Sequence, residues 1–347
     1  MEAWEKVAPD SRDLLHYKGK CLKALGRREE ATEILEQALE MCREAAEADP
    51  SKENWGWHDV GQCLLDLERY EEAVEAFRQI AEANPGGSEP WKIVSLLLME
   101  LDRPEEAIEA LRRGIEVTTD KSGLSSTLGV LLRAQQRHEE ALEAFREATK
   151  DEQCEPDAWE LMGRCLEEMQ RPDEAREAYA GAVKALRRGP RQKSSDSYRY
   201  RSLGICLDKL DRHEEARKAY ERAVQAFRQD MKDEPRDSFQ WQWLAECLEK
   251  SGRQDEARET YRKALELHRK TVPVLLSDAG WWETLAELAA KGGDASSVQE
   301  AYARLREMSL ETHPRHKAND IAKRLAKVEE LMRGLKLPED ASNPSST

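Results

Sequence analysis

The sequence repeats a short pattern ending in a small residue at regular intervals, and this periodicity restricts the chain to a repeat architecture. An acidic pair usually precedes the small residue, as in REEA, PEEA and HEEA. The residue numbers of successive copies differ by 42, 34, 34, 34, 41, 41 and 41. Eight copies in phase indicate one structural unit repeated along the chain. The small residues are Ala31, Ala73, Ala107, Ala141, Ala175, Ala216, Ala257 and Val298.

Each unit reads as two short helices joined by a turn. A large apolar residue follows each small residue by four positions, and a smaller or aliphatic one follows by seven, which traces one helical face. The first half of a unit has its own stripe, in which an aromatic residue precedes a small one by four positions, as in Trp159 and Gly163. Small residues at these places let the two helices of a unit cross closely. The sequence therefore predicts an all-α fold.

This pattern resembles the tetratricopeptide repeat family, whose period is about 34 residues. The fifth unit carries the pattern of the family at Trp159, Met162, Gly163, Leu166, Ala175, Tyr179 and Ala182. The resemblance covers roughly residues 9–313. It implies a right-handed superhelical α-solenoid of about eight helix-turn-helix units within residues 1–314, followed by a C-terminal capping helix over 315–336. Residues 337–347 are predicted to be a disordered tail because they are short and polar.

The longer units differ from the shorter ones by seven or eight residues. Seven residues are almost two α-helical turns, so such an extension lengthens the second helix without rotating its buried face. The longer units resemble the repeats of kinesin light chains. The array is therefore predicted to mix shorter units of the usual family length with these longer, kinesin-light-chain-like units.

Composition excludes several classes of protein. Charged residues make up 36% of the chain and the formal net charge is −15, which argues against nucleic-acid binding as the main function. We find no apolar run of membrane-spanning length and no secretory signal pattern at the N-terminus. Seven cysteines without an export signal favour a reducing compartment, so we expect a cytoplasmic protein, with the nucleus as the alternative.

Five of the seven cysteines share one sequence context, which raises the question of a metal or redox role. GKCL, GQCL, GRCL, GICL and AECL place them at one position of the first helix, where three other units have leucine. A site that accepts leucine is predicted to be a buried core site. Equivalent positions in neighbouring repeats should lie about 10 Å apart, too far for a disulfide. No metal or cofactor is expected. These cysteines are Cys21, Cys63, Cys165, Cys206 and Cys247.

No motif indicates catalysis, and the chain is predicted not to be an enzyme. Nucleophile-elbow, dinucleotide-binding, P-loop and paired CxxC patterns are all missing from the sequence. The HEEA strings at His138 and His213 continue to Leu142 and Arg217, so they do not complete a zinc-binding HExxH motif. They are interpreted as a turn followed by a helix start, with acidic residues at the positive end of the helix dipole.

The resemblance also implies where a ligand would bind. In the family the first helices line a concave groove, and their second, fifth, ninth and twelfth positions contact the ligand; we call these the ligand positions. Carried over to this sequence, the candidate residues are Trp55, His58, Gln62, Lys92, Leu96, Met99, Val130, Arg133, Arg164 and Arg201.

The ligand positions change character along the chain. Trp55, Leu65, Leu96, Met99 and Val130 form an apolar strip, and Arg133, Arg164 and Arg201 follow on a diagonal. The last two units are acidic at these positions. We therefore predict an acidic or phosphorylated peptide segment with apolar anchors as the ligand, repelled by the acidic units. The alternative is that Arg164 pairs with Glu160 four residues away and that the apolar residues are ordinary surface scatter.

The leading functional hypothesis is a non-catalytic scaffold that binds a peptide or helix of a partner protein in this groove. The alternative is a sensor or oligomerisation arm of a larger multidomain signalling protein, which would also associate with itself. An RNA-binding helical array is a third reading, disfavoured by the acidity of the chain and by the lack of a basic stripe. No membrane partner is expected.

Overall fold

A computed structural model of the protein describes residues 12–48, 55–84, 86–119, 121–150, 156–188, 196–231, 238–270, 279–310 and 315–337. In these ranges the regular elements are seventeen α-helices, and no strand occurs. The helices form eight successive hairpins and a final single helix, which confirms the predicted all-α repeat fold. They are α1 (Arg12–Ala24), α2 (Arg28–Ala48), α3 (Trp55–Asp66), α4 (Tyr70–Ala83), α5 (Glu89–Glu100), α6 (Pro104–Val117), α7 (Lys121–Ala134), α8 (His138–Ala148), α9 (Pro156–Glu168), α10 (Pro172–Arg188), α11 (Asp196–Lys209), α12 (His213–Asp230), α13 (Ser238–Lys250), α14 (Gln254–Lys270), α15 (Ala279–Gly292), α16 (Ala295–Leu310) and α17 (Arg315–Gly334).

The turn inside each hairpin has one geometry throughout. The first helix ends on a residue with left-handed backbone, such as Asp102 with φ of 57°. The next amide then donates to a carbonyl five residues back, as Arg103 N does to Leu98 O at 2.8 Å. This arrangement is a Schellman motif, which satisfies carbonyls at the helix end and reverses the chain. The left-handed residues are Gly26, Glu68, Asp102, Gln136, Gln170, Asp211, Gly252 and Gly293.

Close helix crossings form the core of each hairpin. The Phe145 ring is fully buried, and a Cβ added to Gly129 would lie 2.6 Å from a ring carbon of Phe145. Gly204 and Tyr220 repeat this contact, with a corresponding distance of 2.5 Å. The predicted role of small residues at the crossings is confirmed, because any side chain on these glycines would push the aromatic ring of the second helix away.

The chain divides into two compact units, residues 1–185 (unit 1) and 186–347 (unit 2). In unit 1 the second helix of each hairpin packs on the first helix of the next, as α4 does on α5 and α6 on α7. The first helices α5, α7 and α9 also contact one another in sequence, so they line one face of unit 1. In unit 2, α12 packs on α13, α14 packs on α15, and α17 packs on both α15 and α16.

The boundaries predicted at the C-terminal end have different outcomes. The segment expected to be a capping helix forms α17 (Arg315–Gly334), with Val328 and Met332 fully buried. Residues 338–347, most of the predicted disordered tail, lie outside the described residues. Disorder of the tail therefore stays a prediction.

An arginine–glutamate ion pair lies at the start of seven second helices, and all of these pairs except Arg212–Glu215 are bidentate. Arg69 Nε donates to Glu72 Oε1 at 2.5 Å and Arg69 Nη2 donates to Glu72 Oε2 at 2.6 Å. The hydrogen bonds from the arginine lower the pKa of the glutamate in every case. The acidic pairs of the repeat are thus partners of an arginine as well as dipole neighbours. The pairs are Arg27–Glu30, Arg69–Glu72, Arg103–Glu106, Arg137–Glu140, Arg171–Glu174, Arg212–Glu215 and Arg253–Glu256.

The same glutamates also join neighbouring repeats. Glu72 accepts a hydrogen bond from Arg43 of the preceding second helix at 2.9 Å, and Glu140 accepts one from Arg112 at 2.9 Å. Because all of these glutamates except Glu30 contact one arginine of their own repeat and one of the repeat before, a ladder of charges runs along the second helices within each unit. Further rungs of this ladder are Arg187–Glu215 and Arg228–Glu256.

The cysteine prediction is confirmed at four positions and wrong at one. Cys63, Cys165, Cys206 and Cys247 are buried, whereas Cys21 is exposed. In later repeats the preceding second helix covers this position. Cys165 Sγ, for example, lies 3.6 Å from the carbonyl oxygen of His138 at the start of α8. The described residues include no helix before α1, so nothing described covers Cys21. Burial raises the pKa of Cys247 to about 12, which keeps the thiol protonated at neutral pH.

Candidate functional site

The ligand positions include the ninth residue position of each first helix, and this position forms a row across four successive first helices of unit 1. Gln62 lies in α3, Leu96 in α5, Val130 in α7 and Arg164 in α9, and we call these four residues the ninth-position row. Leu96 is 61% exposed and Val130 is 38% exposed, although both are apolar. Gln62 is half-buried and Arg164 is exposed. The row therefore presents apolar side chains at its centre and a cation at one end.

The twelfth ligand position adds a guanidinium with unsatisfied hydrogen-bonding capacity. Arg133 Nη1 lies 3.7 Å from Glu168 Oε1, and the Arg133 side chain is only 18% exposed. This nitrogen is shielded from water and has no hydrogen-bond partner among the described residues. Because Nη1 is enclosed by the protein, a ligand could reach only the exposed part of this guanidinium. Half-buried Met99 lies at the same position of α5.

The three arginines of the predicted diagonal have different surroundings. Arg164 forms no ion pair among the described residues, so the alternative pairing with Glu160 does not occur there. Arg201 belongs to unit 2, where its Nη2 donates to Glu246 Oε2 at 2.8 Å and its guanidinium lies 5.5 Å from the Trp243 ring centre. Of the three side chains, Arg164 is therefore the one most open to a ligand.

The fifth ligand positions in unit 1 are partly occupied by neighbours. The His58 ring packs edge-on against Phe77, with ring centres 6.0 Å apart. Lys92 Nζ lies 3.6 Å from Glu89 Oε2 on the same helix. Trp55 is the first residue of α3, and its side chain lies outside the described part of the structure.

A shallow cleft of about 320 Å³ opens beside Val130. Small hydroxyl residues of α7 form one wall, and Asp157 of α9 forms the other. Asp157 is exposed to solvent across the cleft, yet the surrounding helices partly desolvate its carboxyl group and raise its pKa. The cleft is thus a polar pocket next to the apolar centre of the ninth-position row. Its lining residues are Ser122, Gly123, Ser126, Thr127, Val130 and Asp157.

The acidic residues of the last two repeats are already neutralised within unit 2. Glu246 binds Arg201. Glu249 lies 3.9 Å from Lys291 Nζ and accepts a hydrogen bond from the Tyr261 hydroxyl at 2.9 Å. Glu283 Oε1 lies 2.6 Å from Lys327 Nζ, and Glu287 pairs with the same lysine. Each of the four carboxylates has a partner within unit 2, and repulsion of an acidic ligand by them, expected from the sequence, stays a prediction. Charge counting along the ligand positions missed the cations that other helices supply.

An aromatic cluster on the first helices of unit 2 was not singled out from the sequence. The Tyr198 and Trp243 rings meet edge-to-face with centres 5.0 Å apart, and Phe239 lies 6.2 Å from Trp243. Tyr198 is 37% exposed and Phe239 is 48% exposed. The sequence did contain a signal, because Tyr198 and Phe239 occupy the same ligand position, the second one of the first helix, in successive repeats.

The described residues give no sign of a metal centre or of a membrane span. They contain no group of three or more His, Cys, Asp or Glu side chains arranged to hold a metal ion. None of the described helices is both long enough and apolar enough to cross a bilayer.

Comparison with known proteins identifies the architecture. One family profile described as a tetratricopeptide repeat matches residues 10–86 and 155–229, and a second with the same description matches 60–120 and 202–271. The chain belongs to the tetratricopeptide repeat family. Tetratricopeptide repeats form protein-interaction scaffolds, and the eight helical hairpins of this chain are of that kind.

Individual relatives are distant. A search of curated proteins finds no match. Pseudomonas aeruginosa PilF is similar at 18% identity over 63% of this chain and 92% of its own, with a TM-score of 0.41. A tetratricopeptide repeat protein from Parabacteroides merdae is similar at 11% identity over 80% of this chain and 100% of its own, with a TM-score of 0.43. MamA is similar at 21% identity over 50% of this chain and 97% of its own, with a TM-score of 0.36.

Proposed function

We propose that the protein is a non-catalytic scaffold whose unit 1 groove binds a peptide segment of another protein. The observation that carries this proposal is the ninth-position row, in which exposed Leu96 and Val130 are followed by Arg164 at equivalent places of successive first helices. The ligand that fits is a segment with apolar anchors followed by a carboxylate or a phosphate.

The apolar part of the row supports the anchors. A single exposed leucine or valine is common on protein surfaces. Leu96 and Val130 differ from scatter because they occupy the same position of α5 and α7, two helices in contact on one face. Burying their side chains under a ligand releases about 25 cal/mol for each Å² of apolar surface removed from water. The anchors would therefore supply most of the affinity.

The cationic part of the row supports an acidic end. Arg164 is exposed and unpaired among the described residues, and Arg133 has a shielded Nη1 without an acceptor there. Arginine presents a planar fork of donors that matches a carboxylate or a phosphate in bidentate geometry. Arg133 adds positive charge beside Arg164, although its side chain is mostly enclosed and lies close to Glu168. We therefore place the acidic end of the ligand over α7 and α9.

Selection of peptides on the whole 347-residue chain tests this function. From a displayed library of random peptides, we expect enriched sequences to combine Leu, Ile, Val or Phe with a nearby Asp or Glu. The Arg164→Glu chain is the matched control, since its selected peptides should lose the acidic residue and keep the apolar ones. Enrichment of peptides rich in Lys or Arg that fail to bind the Leu96→Glu chain would contradict the proposal, because it would show that the unit 1 groove has the opposite polarity.

A further inference from the structure

The last helix of unit 2 lies across ligand positions of the eighth repeat. α17 packs against α15, the first helix of that repeat, as well as against α16. Arg324 of α17 forms an ion pair with Glu283, and Lys327 pairs with both Glu283 and Glu287. Glu283 and Glu287 are the fifth and ninth ligand positions of α15. A helix of the same chain therefore covers the place where the family binds its ligands.

This contact has both a charged edge and an apolar face. The Glu283 side chain is 15% exposed and the Glu287 side chain is 26% exposed, whereas Leu96 in unit 1 is 61% exposed at the same position as Glu287. On α17 itself, Val328 and Met332 are fully buried. α17 therefore packs as an amphipathic helix, with its apolar side buried where it meets α15 and α16 and its basic residues on the carboxylates of α15.

From this arrangement we propose that the carboxylate face of α15 is a docking surface for a basic amphipathic helix of a partner protein, and that α17 occupies the surface until the partner displaces it. The charge complementarity between α15 and α17 identifies the partner by its pattern. The partner helix is expected to repeat the spacing of α17, which has apolar residues at Ile321, Val328 and Met332 and cations at Arg324 and Lys327. Counted from the first apolar residue, the cations follow after three and six residues and the other apolar residues after seven and eleven. The surface lies in unit 2 and takes a basic ligand, so this proposal does not depend on the unit 1 groove.

Tethering explains why an added helix would bind the unaltered protein weakly. Because α17 belongs to the same chain as α15, it meets its docking surface at a high effective concentration, and a free helix must compete with it. Removing the three ion pairs that Arg324 and Lys327 of α17 form lowers this competition without changing the carboxylates of α15. Binding of a free helix should then rise.

The experiment uses a synthetic 20-residue peptide with the sequence of α17, labelled with a fluorophore, and the whole 347-residue chain. We expect the Arg324→Glu/Lys327→Glu chain to bind this peptide at least tenfold more tightly than the unaltered chain, as measured by fluorescence anisotropy. The matched control is Lys323→Glu/Arg333→Glu, which makes the same change of charge on α17 at exposed residues without an ion-pair partner among the described residues. That chain should bind the peptide as weakly as the unaltered one.

A charge exchange and a protection measurement complete the test. The Glu283→Lys/Glu287→Lys chain should bind a peptide carrying Arg324→Glu/Lys327→Glu in preference to the natural peptide. Hydrogen exchange should show that Arg324→Glu/Lys327→Glu frees α17 while α15 and α16 stay protected; if the chain unfolds, Arg324→Gln/Lys327→Gln replaces it in every comparison. The proposal is overturned if the released chain binds the peptide no better than the control chain, or if α15 and α16 lose protection together with α17.

Discussion

Replacing Phe145 with alanine is expected to lower the free energy of unfolding of unit 1 by about 3–5 kcal/mol, the largest stability effect of any single change considered. The Phe145 ring has no solvent exposure and fills the space above Gly129 at the crossing of α7 and α8. Removing the ring leaves a cavity that rigid neighbouring hairpins cannot fill. The shift of the urea unfolding transition, followed by circular dichroism, measures the effect.

Two comparisons connect this effect to the helix crossing. Phe239→Ala removes the same ring from a residue that is 48% exposed, and it should cost about 0.5–1.5 kcal/mol because only the contact with the Trp243 ring and part of the ring's burial are lost. Gly129→Ala should cost about 1–3 kcal/mol, because the new Cβ would lie 2.6 Å from the ring of Phe145. The double variant Gly129→Ala/Phe145→Leu should lose less stability than the two single variants lose together, because leucine leaves room for the new Cβ. Equal effects of Phe145→Ala and Phe239→Ala would refute this account of the core.

The largest expected effect on binding comes from reversing the chemistry of the ninth-position row. The chain with Leu96→Glu, Val130→Glu and Arg164→Glu should bind a peptide selected on the unaltered protein at least 100-fold more weakly. This factor corresponds to about 2.7 kcal/mol, which is within the transfer free energy of one or two buried aliphatic side chains. The change also places carboxylates where an acidic ligand would lie. Titration calorimetry measures the affinity.

The control for this variant changes apolar residues of similar exposure away from the ligand positions. Leu25, at 66% exposure, lies in the turn after α1, and Val117, at 45% exposure, lies at the end of α6. The chain with Leu25→Glu and Val117→Glu should bind the selected peptide with unchanged affinity. Both variants should melt at nearly the temperature of the unaltered protein, since they alter exposed side chains. A loss of affinity in the control as large as in the row variant would contradict the assignment of the groove.

The fold could be predicted from the sequence because the eight repeats can be compared with one another position by position. Ala107, Ala141 and Ala175 recur at one constant interval, and a position that is glycine in several repeats identifies a close crossing without any structure. The exposure of Cys21 was not predicted, because the repeat pattern predicts the contacts of a position only where a repeat has another repeat before it. What covers that position in the first repeat depends on a neighbour that the pattern does not contain.

The sequence predicted candidate positions for the site but not the partners of their charges, and the reason is again physical. Position in the repeat predicted Leu96, Val130 and Arg164 as ligand contacts, but it treated each charge as independent. Arg201 finds its carboxylate 45 residues away in Glu246, and Glu283 finds its cations on α17. Such partners depend on how side chains of successive helices meet, which a list of ligand positions does not show.

A footprint of the selected peptide on the whole 347-residue chain tests the central claim most directly. Hydrogen exchange of the protein with and without the peptide reports which helices the ligand covers. We expect added protection in the first helices α5, α7 and α9, and no change in the second helices α4, α6 and α8. Protection confined to the second helices, or to unit 2, would contradict the assignment of the unit 1 groove as the peptide-binding site.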